Sequence, residues 1–459
     1  MFALTSLVMI CLAAPQDPNK VLATYELRGE RATVTSTDVA LEMAFHLRRN
    51  DRGRQGCNML VDYLITRKEA KRLNLMPTRA DAQKFWKQLQ DQLVKAGHKP
   101  EDYAAVRNTS EEQWLEDLSV QIAQERLVRN ELGLAANESV GGDMLKLWLS
   151  ETRQRVSVET DPDKLPVGTA AQVDGTPIAL IDLGFLLLRT SEDFERDKFI
   201  RQVVYLQTIE SMARAKAITI SPSDLDREVE SRRAQVKRDP RRGGVSYEQM
   251  LQSTGMTIES IKAQRIFRSH VLLDKLTLLA FPKEKLATEL KADRQAVLDL
   301  VGPRRRIGAI FVRALKTPNA IIKRSFEDAM SHLKKVRERI AKDGFAATAA
   351  IETELGSSKR DGGDLGWHRR GSKELPANIV QAAFEMKMTE VSMPLRTKDG
   401  CYVITVLDRE PTPKDEELLS RLQIVRGEQL SRDILANSKL EMKTQGTAKR
   451  DAKNRGVNK

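Results

Sequence analysis

Between about positions 20 and 285, apolar residues recur at i, i+3, i+4 and i+7, the spacing that gathers them on one face of a helix. MLVDYLITRK (Met59–Lys68), SEEQWLEDLSVQIAQERLV (Ser110–Val128), FIRQVVYLQTIES (Phe199–Ser211) and TIESIKAQRIFRSHVLLDKL (Thr257–Leu276) all read this way. The pattern also repeats: EAKRLNLMPTRAD (Glu69–Asp81) resembles MARAKAITISPSD (Met212–Asp224), with position 69 answering to 212. An apolar helical stretch precedes each copy, and before it a glycine turn leads to an aspartate, Gly29 to Asp38 and Gly175 to Asp182. Ser110 with Gln113 fits the capping-box pattern that satisfies free amides at a helix start, whereas Thr257 with Ser260 does not. Two helical modules are expected, residues 20–156 and 167–285, joined through the proline-bearing linker SVETDPDKLPVG (Ser157–Gly168).

The pattern changes between Arg304 and Glu410. RRIGAIFVR (Arg305–Arg313) alternates as a strand, with Ile307, Ala309 and Phe311 on one face and Ile310 and Val312 on the other. A long helix over 320–342 and a short one over 345–355 precede DGGDLGWHRRG (Asp361–Gly371), whose glycines permit a tight backbone course. Asp364 is placed to cap that turn, with Leu365 and Trp367 directed inward. A helix carrying IVQAAFEM (Ile379–Met386) follows, and then two strands about a Lys398-Asp399-Gly400 turn. The expected fold is α+β: mostly helical N-terminal modules, a small antiparallel sheet covered by helices at 304–411, and a C-terminal helix at 412–437. The rest, 438–459, is polar and basic and reads as a disordered tail.

Composition narrows the function. The 459 residues carry 76 lysines and arginines against 64 aspartates and glutamates, a formal net charge of +12. Three cysteines, Cys11, Cys57 and Cys401, exclude a disulfide scaffold, and five scattered histidines offer no zinc-ligand spacing, so neither a metal nor a cofactor is expected. A basic tail suits anionic surfaces, but no nucleic-acid motif accompanies it and nucleic acid is not an expected partner. FALTSLVMICLAA (Phe2–Ala14) has the length of a signal-peptide core, followed by Pro15, although no lysine or arginine precedes it. Residues 1–14 are therefore read as a signal for export. The bulky Ile10 disfavours a lipid anchor on Cys11, and no stretch reaches transmembrane length.

The sequence GGDLGW (Gly362–Trp367), the later AAF (Ala382–Phe384) and the closing T-x-x-G-x-x-x-I of Thr397, Gly400 and Ile404 resemble the parvulin family of peptidyl-prolyl isomerases, the PpiC or rotamase type. Helical modules before such a domain, a leading signal and a helix behind it are similar to the SurA and PrsA kinds of envelope foldase. The resemblance implies a peptidyl-prolyl cis-trans isomerase that works on unfolded or proline-containing polypeptide clients in the periplasm or cell envelope.

Prolyl rotation has a barrier of about 18–20 kcal/mol because the amide has partial double-bond character. It requires no nucleophile, only a site that favours the twisted amide over both planar forms. The resemblance places the proline pocket on Leu365, Leu375 and Ile379, the last two of which also read as ordinary core. It places the polar centre on Ala309, Leu355 and Tyr402, where the family carries histidine, aspartate or cysteine, and histidine. All three are changed, and Tyr402 alone retains a polar group for a catalytic part. Two functions follow: an isomerase whose cleft works without the usual histidines, or a non-catalytic chaperone on a degenerate parvulin fold. Cys401 is expected to face away from Tyr402, and His368 reads as a surface loop residue.

Overall fold

The computed structural model describes residues 17–97, 111–135, 138–239, 243–317, 319 and 321–443. Residues 1–14, Ser110 of the Ser110/Gln113 pair and the last part of the expected tail lie outside the described residues. The chain divides into two compact units: one runs to Leu273 and resumes at Arg432, and the other is Asp274–Ser431.

In the first unit β1 (Val21–Leu27) and β2 (Glu30–Thr35) form a hairpin, followed by α1 (Ser36–Leu47), α2 (Asp51–Arg72), α3 (Arg79–Lys95), α4 (Glu111–Leu132) and α5 (Gly142–Gln154). After β3 (Val158–Glu159), the order returns: hairpin β4 (Thr169–Val173) and β5 (Thr176–Ala179), then α6 (Leu180–Arg189), α7 (Asp193–Ala215) and α8 (Pro222–Arg238). Helices α9 (Tyr247–Ser253), α10 (Ile258–Lys262) and α11 (Arg265–Ala280) complete the second round. The repetition extends to backbone detail. Arg28-Gly29 and Asp174-Gly175 both turn their hairpins with two positive φ angles, 55° and 86° against 47° and 73°. Asn74 and Ala217, each just past the second helix, are left-handed at 57° and 51°. Thr78 with Asp81, and Ser221 with Asp224, close the same capping box at the third.

Three expectations need correction here. The copies do not fold as separate modules: Val39, Ala40 and Met43 of α1 share one core with Leu183, Leu186 and Leu187 of α6 and Phe199 and Val203 of α7. The cause is α6, LIDLGFLLLR, which is apolar nearly all round and needs cover on every side. Part of the expected linker, Val158–Glu159, is a strand on β4. Thr257 and Ser260 do form a capping box, because the serine hydroxyl accepts from the Thr257 amide as a glutamate would.

Asp62 on α2 is a cost to this core. Burial pushes its carboxyl up to about 6, which Arg153, 3.4 Å away, only partly offsets. With the folded-state value raised, this group's contribution is fully present below about pH 4 and is lost as pH rises through 6. Asp62→Asn is expected to raise stability near pH 7.5 by about 2–3 kcal/mol and to leave it unchanged near pH 4. Urea midpoints across that range check this, and parallel pH profiles for the two proteins would contradict it.

The second unit holds α12 (Lys283–Ala292), α13 (Arg294–Val301), β6 (Arg305–Arg313), α14 (Phe326–Asp343), α15 (Phe345–Glu352), α16 (Gly356–Lys359), β7 (Asp364–His368), α17 (Ala377–Glu385), β8 (Leu395–Arg396), β9 (Gly400–Arg409) and most of α18 (Asp415–Ala436). Its sheet is antiparallel, in the order β7-β6-β9-β8. Ile310, Val312, Cys401 and Val403 face Leu333 and Val336 of α14, and Ile307, Ala309, Phe311, Tyr402 and Ile404 face Ile379 and Ala383 of α17. α12 and α13 close Leu286, Leu290, Val297 and Val301 onto Leu418 and Leu422 of α18.

The expected tail at 438–459 begins later than the sequence suggests. Glu441–Met442 forms β10 on the free edge of β1, with Ala23 opposite Met442, and the half-buried Leu440 and Met442 pack on the first unit's core. The fold is α+β, and among the described residues no helix is long and apolar enough to cross a membrane.

Candidate functional site

The site is built on the face of β6 and β9 that looks toward α17. Strand alternation puts Ala309 and Phe311 of β6 there with Tyr402 and Ile404 of β9. Phe311 and Tyr402 are cross-strand partners whose rings lie 4.6 Å apart at 41°. Leu355 reaches the same face because its neighbours are stitched to β6: the Phe311 amide donates to Thr353 Oγ1 at 3.1 Å, and the Glu354 amide donates to the Phe311 carbonyl at 2.8 Å. Leu365 arrives on β7 through the double glycine. The Ala309 amide donates to the Gly363 carbonyl at 2.8 Å, and Gly363 has φ +84°. Ile379 lies fully buried on α17, and Leu375 is half-buried just before that helix.

All six positions singled out in the sequence therefore meet in one apolar cluster: Ala309, Leu355, Tyr402, Leu365, Leu375 and Ile379. Tyr402 is only 8% exposed, and burial, with Asp399 as the smaller influence, raises its hydroxyl above the ordinary tyrosine value. Among the described residues its hydroxyl makes no hydrogen bond. An un-ionised phenol in an apolar wall can donate one hydrogen bond to a bound carbonyl, and the cluster offers nothing else polar. Cys401 packs on the opposite face, buried, with its thiol pushed up by desolvation and so kept unreactive.

Other details of this region differ from the sequence reading. The glycine-rich run is a strand as well as a turn: β7 pairs with β6, Arg306 ties it by donating from Nε to Asp364 Oδ2 at 2.8 Å, and Asp364 Oδ1 accepts from the Gly366 amide at 2.8 Å. Trp367 points outward, 37% exposed, beneath the Arg304 guanidinium. His368 is not a surface residue. It is buried, and its Nε2 donates to the Leu365 carbonyl at 3.0 Å, so it fixes the backbone that presents Leu365. Phe311 and Thr353 were missed as site residues; the available signal was that Phe311 shares the Ala309 face. Among the described residues no group of histidine, cysteine, aspartate or glutamate could hold a metal ion.

A four-stranded antiparallel sheet with this glycine-rich turn and apolar face is a parvulin fold, and residues 313–408 match the family model of the PPIC-type PPIASE domain, the rotamase domain. The chain carries a PpiC-type rotamase domain. The matched stretch starts at the last residue of β6, so of the site residues it leaves out Ala309 and Phe311. Over 232 residues the chain is 25% identical to the foldase protein PrsA of Geobacillus kaustophilus, covering 50% of this chain and 70% of that one. Over 105 residues it is 29% identical to the chaperone SurA of Alcanivorax borkumensis, covering 23% of each. A solved structure of the peptidylprolyl isomerase PrsA from Bacillus anthracis aligns over 52% of this chain and 93% of its own, with 17% identity and a TM-score of 0.27.

Proposed function

We propose that this protein is an exported peptidyl-prolyl isomerase and foldase that assists envelope or secreted polypeptides. The observation that carries the reading is the convergence of Leu365, Leu375, Ile379, Ala309, Leu355 and Tyr402 on one apolar face. A planar prolyl amide is stabilised by charge-separated resonance that water supports. An apolar wall withdraws that support and penalises the twisted amide less. Leu365, Leu375 and Ile379 hold the proline ring in this reading, and Tyr402 can donate to the carbonyl beside it. The first unit would hold unfolded clients: Leu41 and Phe45, one turn apart on α1, are exposed apolar side chains on one helix face. Export rests on the apolar run Phe2–Ala14 and on the likeness to PrsA and SurA. Mass spectrometry of the mature N-terminus checks it, and an intact Met1 would contradict it.

The test of function is exchange NMR on a proline peptide with the full chain. Isomer exchange faster than the spontaneous rate is expected, with peptide-induced shifts near Leu365. Leu365→Glu places a charge in the cleft and is expected to weaken peptide binding by about tenfold or more. Tyr402→Phe removes the hydroxyl that this reading aims at the carbonyl and is expected to slow catalysis by about tenfold. A rate unchanged within about threefold would leave that hydroxyl without a part in catalysis. The second reading, a chaperone that binds without catalysing, is favoured by Ala309 and Leu355 in place of polar groups. Binding shifts without faster exchange would establish it in place of the first.

A further inference from the structure

Away from the apolar cleft, where β6 begins and β9 ends, a groove of about 530 Å³ opens beside α17. This is within the range of ligand sites. Its walls combine arginines with an aromatic ring. Arg305 and Arg370 approach the Phe384 ring, with guanidinium carbons 5.1 and 5.3 Å from its centre. Arg409 also lines the groove and is the direct cross-strand partner of Arg305. Like charges placed opposite each other on a sheet repel, so this arrangement costs the free protein energy.

Little offsets that charge. Glu410 is engaged by Arg304, which donates to it from side chain and backbone, and by Arg421 at 3.7 Å. Arg305 donates to two main-chain carbonyls at the end of α17, those of Ala383 and Met386. Among the described residues the only ion pair of Arg370 is a long, exposed contact of 3.9 Å to Asp299, whose Oδ1 already accepts from Gln295. Among the described residues no carboxylate lies within ion-pair distance of Arg305 or Arg409. Burial and the neighbouring Arg409 and Arg370 lower the Arg305 pKa, as expected of a cation lacking a counter-charge.

We propose that this groove is a second binding site, which takes a carboxylate of a polypeptide client. Guanidinium forks match a carboxylate in a bidentate manner. The rest of the wall, Phe384, Leu298, Pro303 and Pro411, would be left uncovered by a bare inorganic anion but is covered by the chain flanking an acidic residue. The site would anchor an acidic segment of a client away from the cleft at Leu365. The choice of a polypeptide as occupant rests on the foldase reading, whereas the groove and its charge do not.

The test uses the full chain and fluorescently labelled, proline-free peptides: one rich in aspartate and glutamate with an amidated end, its asparagine and glutamine counterpart, and a neutral peptide with a free C-terminus. The acidic peptide is expected to bind about tenfold or more tightly than its amide counterpart, and less tightly as salt is raised. The double variant Arg370→Glu, Arg409→Glu is expected to remove that preference, and the Gln double variant to reduce it. Binding of the neutral peptide through its free end alone would assign the C-terminal carboxylate rather than a side chain, and would equally support the site. Equal binding of the acidic and amide peptides, full competition by millimolar inorganic phosphate, or an unaffected double variant would overturn the proposal. Leu365→Glu is expected to leave acidic-peptide binding unchanged. Failure of the unaltered chain to speed prolyl isomerisation, with acidic-peptide binding retained, would count against the foldase reading and not against the groove.

Discussion

Replacing Gly363 by valine is expected to unfold the rotamase sheet or leave it barely stable. The residue holds φ +84°, a conformation that a β-branched residue adopts only under strain of about 1–2 kcal/mol. Space is lacking as well. A Cβ there would lie 2.8 Å from the Ala309 carbonyl oxygen and 2.8 Å from the Ala349 Cβ. Neither contact is the far end of a flexible side chain, so relief requires β6 or α15 to move, at about 1–3 kcal/mol for overpacking. Movement of β6 also threatens the hydrogen bond from the Ala309 amide to the Gly363 carbonyl, worth about 1 kcal/mol. Together these reach about 3–6 kcal/mol, a large part of the 5–15 kcal/mol that holds a typical domain. Hydrogen exchange over Ile307–Val312, read by mass spectrometry, checks this. Protection there equal to that of the unaltered protein would refute it. Peptide binding at Leu365 is expected to fall with the sheet, because Leu365 reaches the cleft only through this turn.

Much of this fold was legible in the sequence, and the physical reasons differ from element to element. Residues that answer to backbone geometry announced themselves: Gly29 and Gly175 for turns, and Gly362 and Gly363 for the tight course before β7, whereas the caps at Thr78 and Ser221 went unread. Strand alternation put Ala309 with Ile307 and Phe311, and Cys401 on the face opposite Tyr402, as the structure has them, whereas the grouping of Ala309 with Tyr402 came from the resemblance. Partnership was not legible. An apolar face states that it needs cover, not what covers it, so the shared core of α1 and α6 and the packing of α12 and α13 on α18 could not be read from periodicity. His368 was misread for a related reason. A histidine among arginines and glycines looks exposed, and only the pairing of β7 with β6 brings it beneath the surface, where the Leu365 carbonyl accepts a hydrogen bond from its Nε2. The site residues were located by family resemblance, and the structure supplied what that could not: the Phe311 ring against Tyr402, and the Thr353 hydroxyl that ties the Leu355 segment to β6.

The shared core of the first unit leads to the other large effect, at Gly184. Asp38 and Asp182 are equivalent in the two copies, and two positions further on are Ala40 and Gly184. These equivalent residues touch: a Cβ on Gly184 would stand 2.2 Å from the Ala40 carbonyl oxygen and 2.5 Å from its carbonyl carbon. Self-related elements meet at matching positions when they pack about a two-fold, and such a crossing has no room to spare at its centre. Gly184→Ala adds helix propensity worth up to about 1 kcal/mol. The added methyl must nevertheless push α1 and α6 apart along helices whose inner residues are almost all buried, at about 1–3 kcal/mol and more if core contacts open. Repulsion wins, and a net loss of about 2 kcal/mol or more is expected. Gly56→Ala is the matched control. Its Cβ would meet the Leu183 Cδ1 at 2.8 Å, a side-chain end that can rotate away, so propensity and crowding nearly cancel and the change is expected to stay within about 1 kcal/mol. Denaturant midpoints of the two variants decide the matter. If Gly184→Ala proves as mild as Gly56→Ala, the helix backbones do not meet at this crossing and the two copies do not form one body.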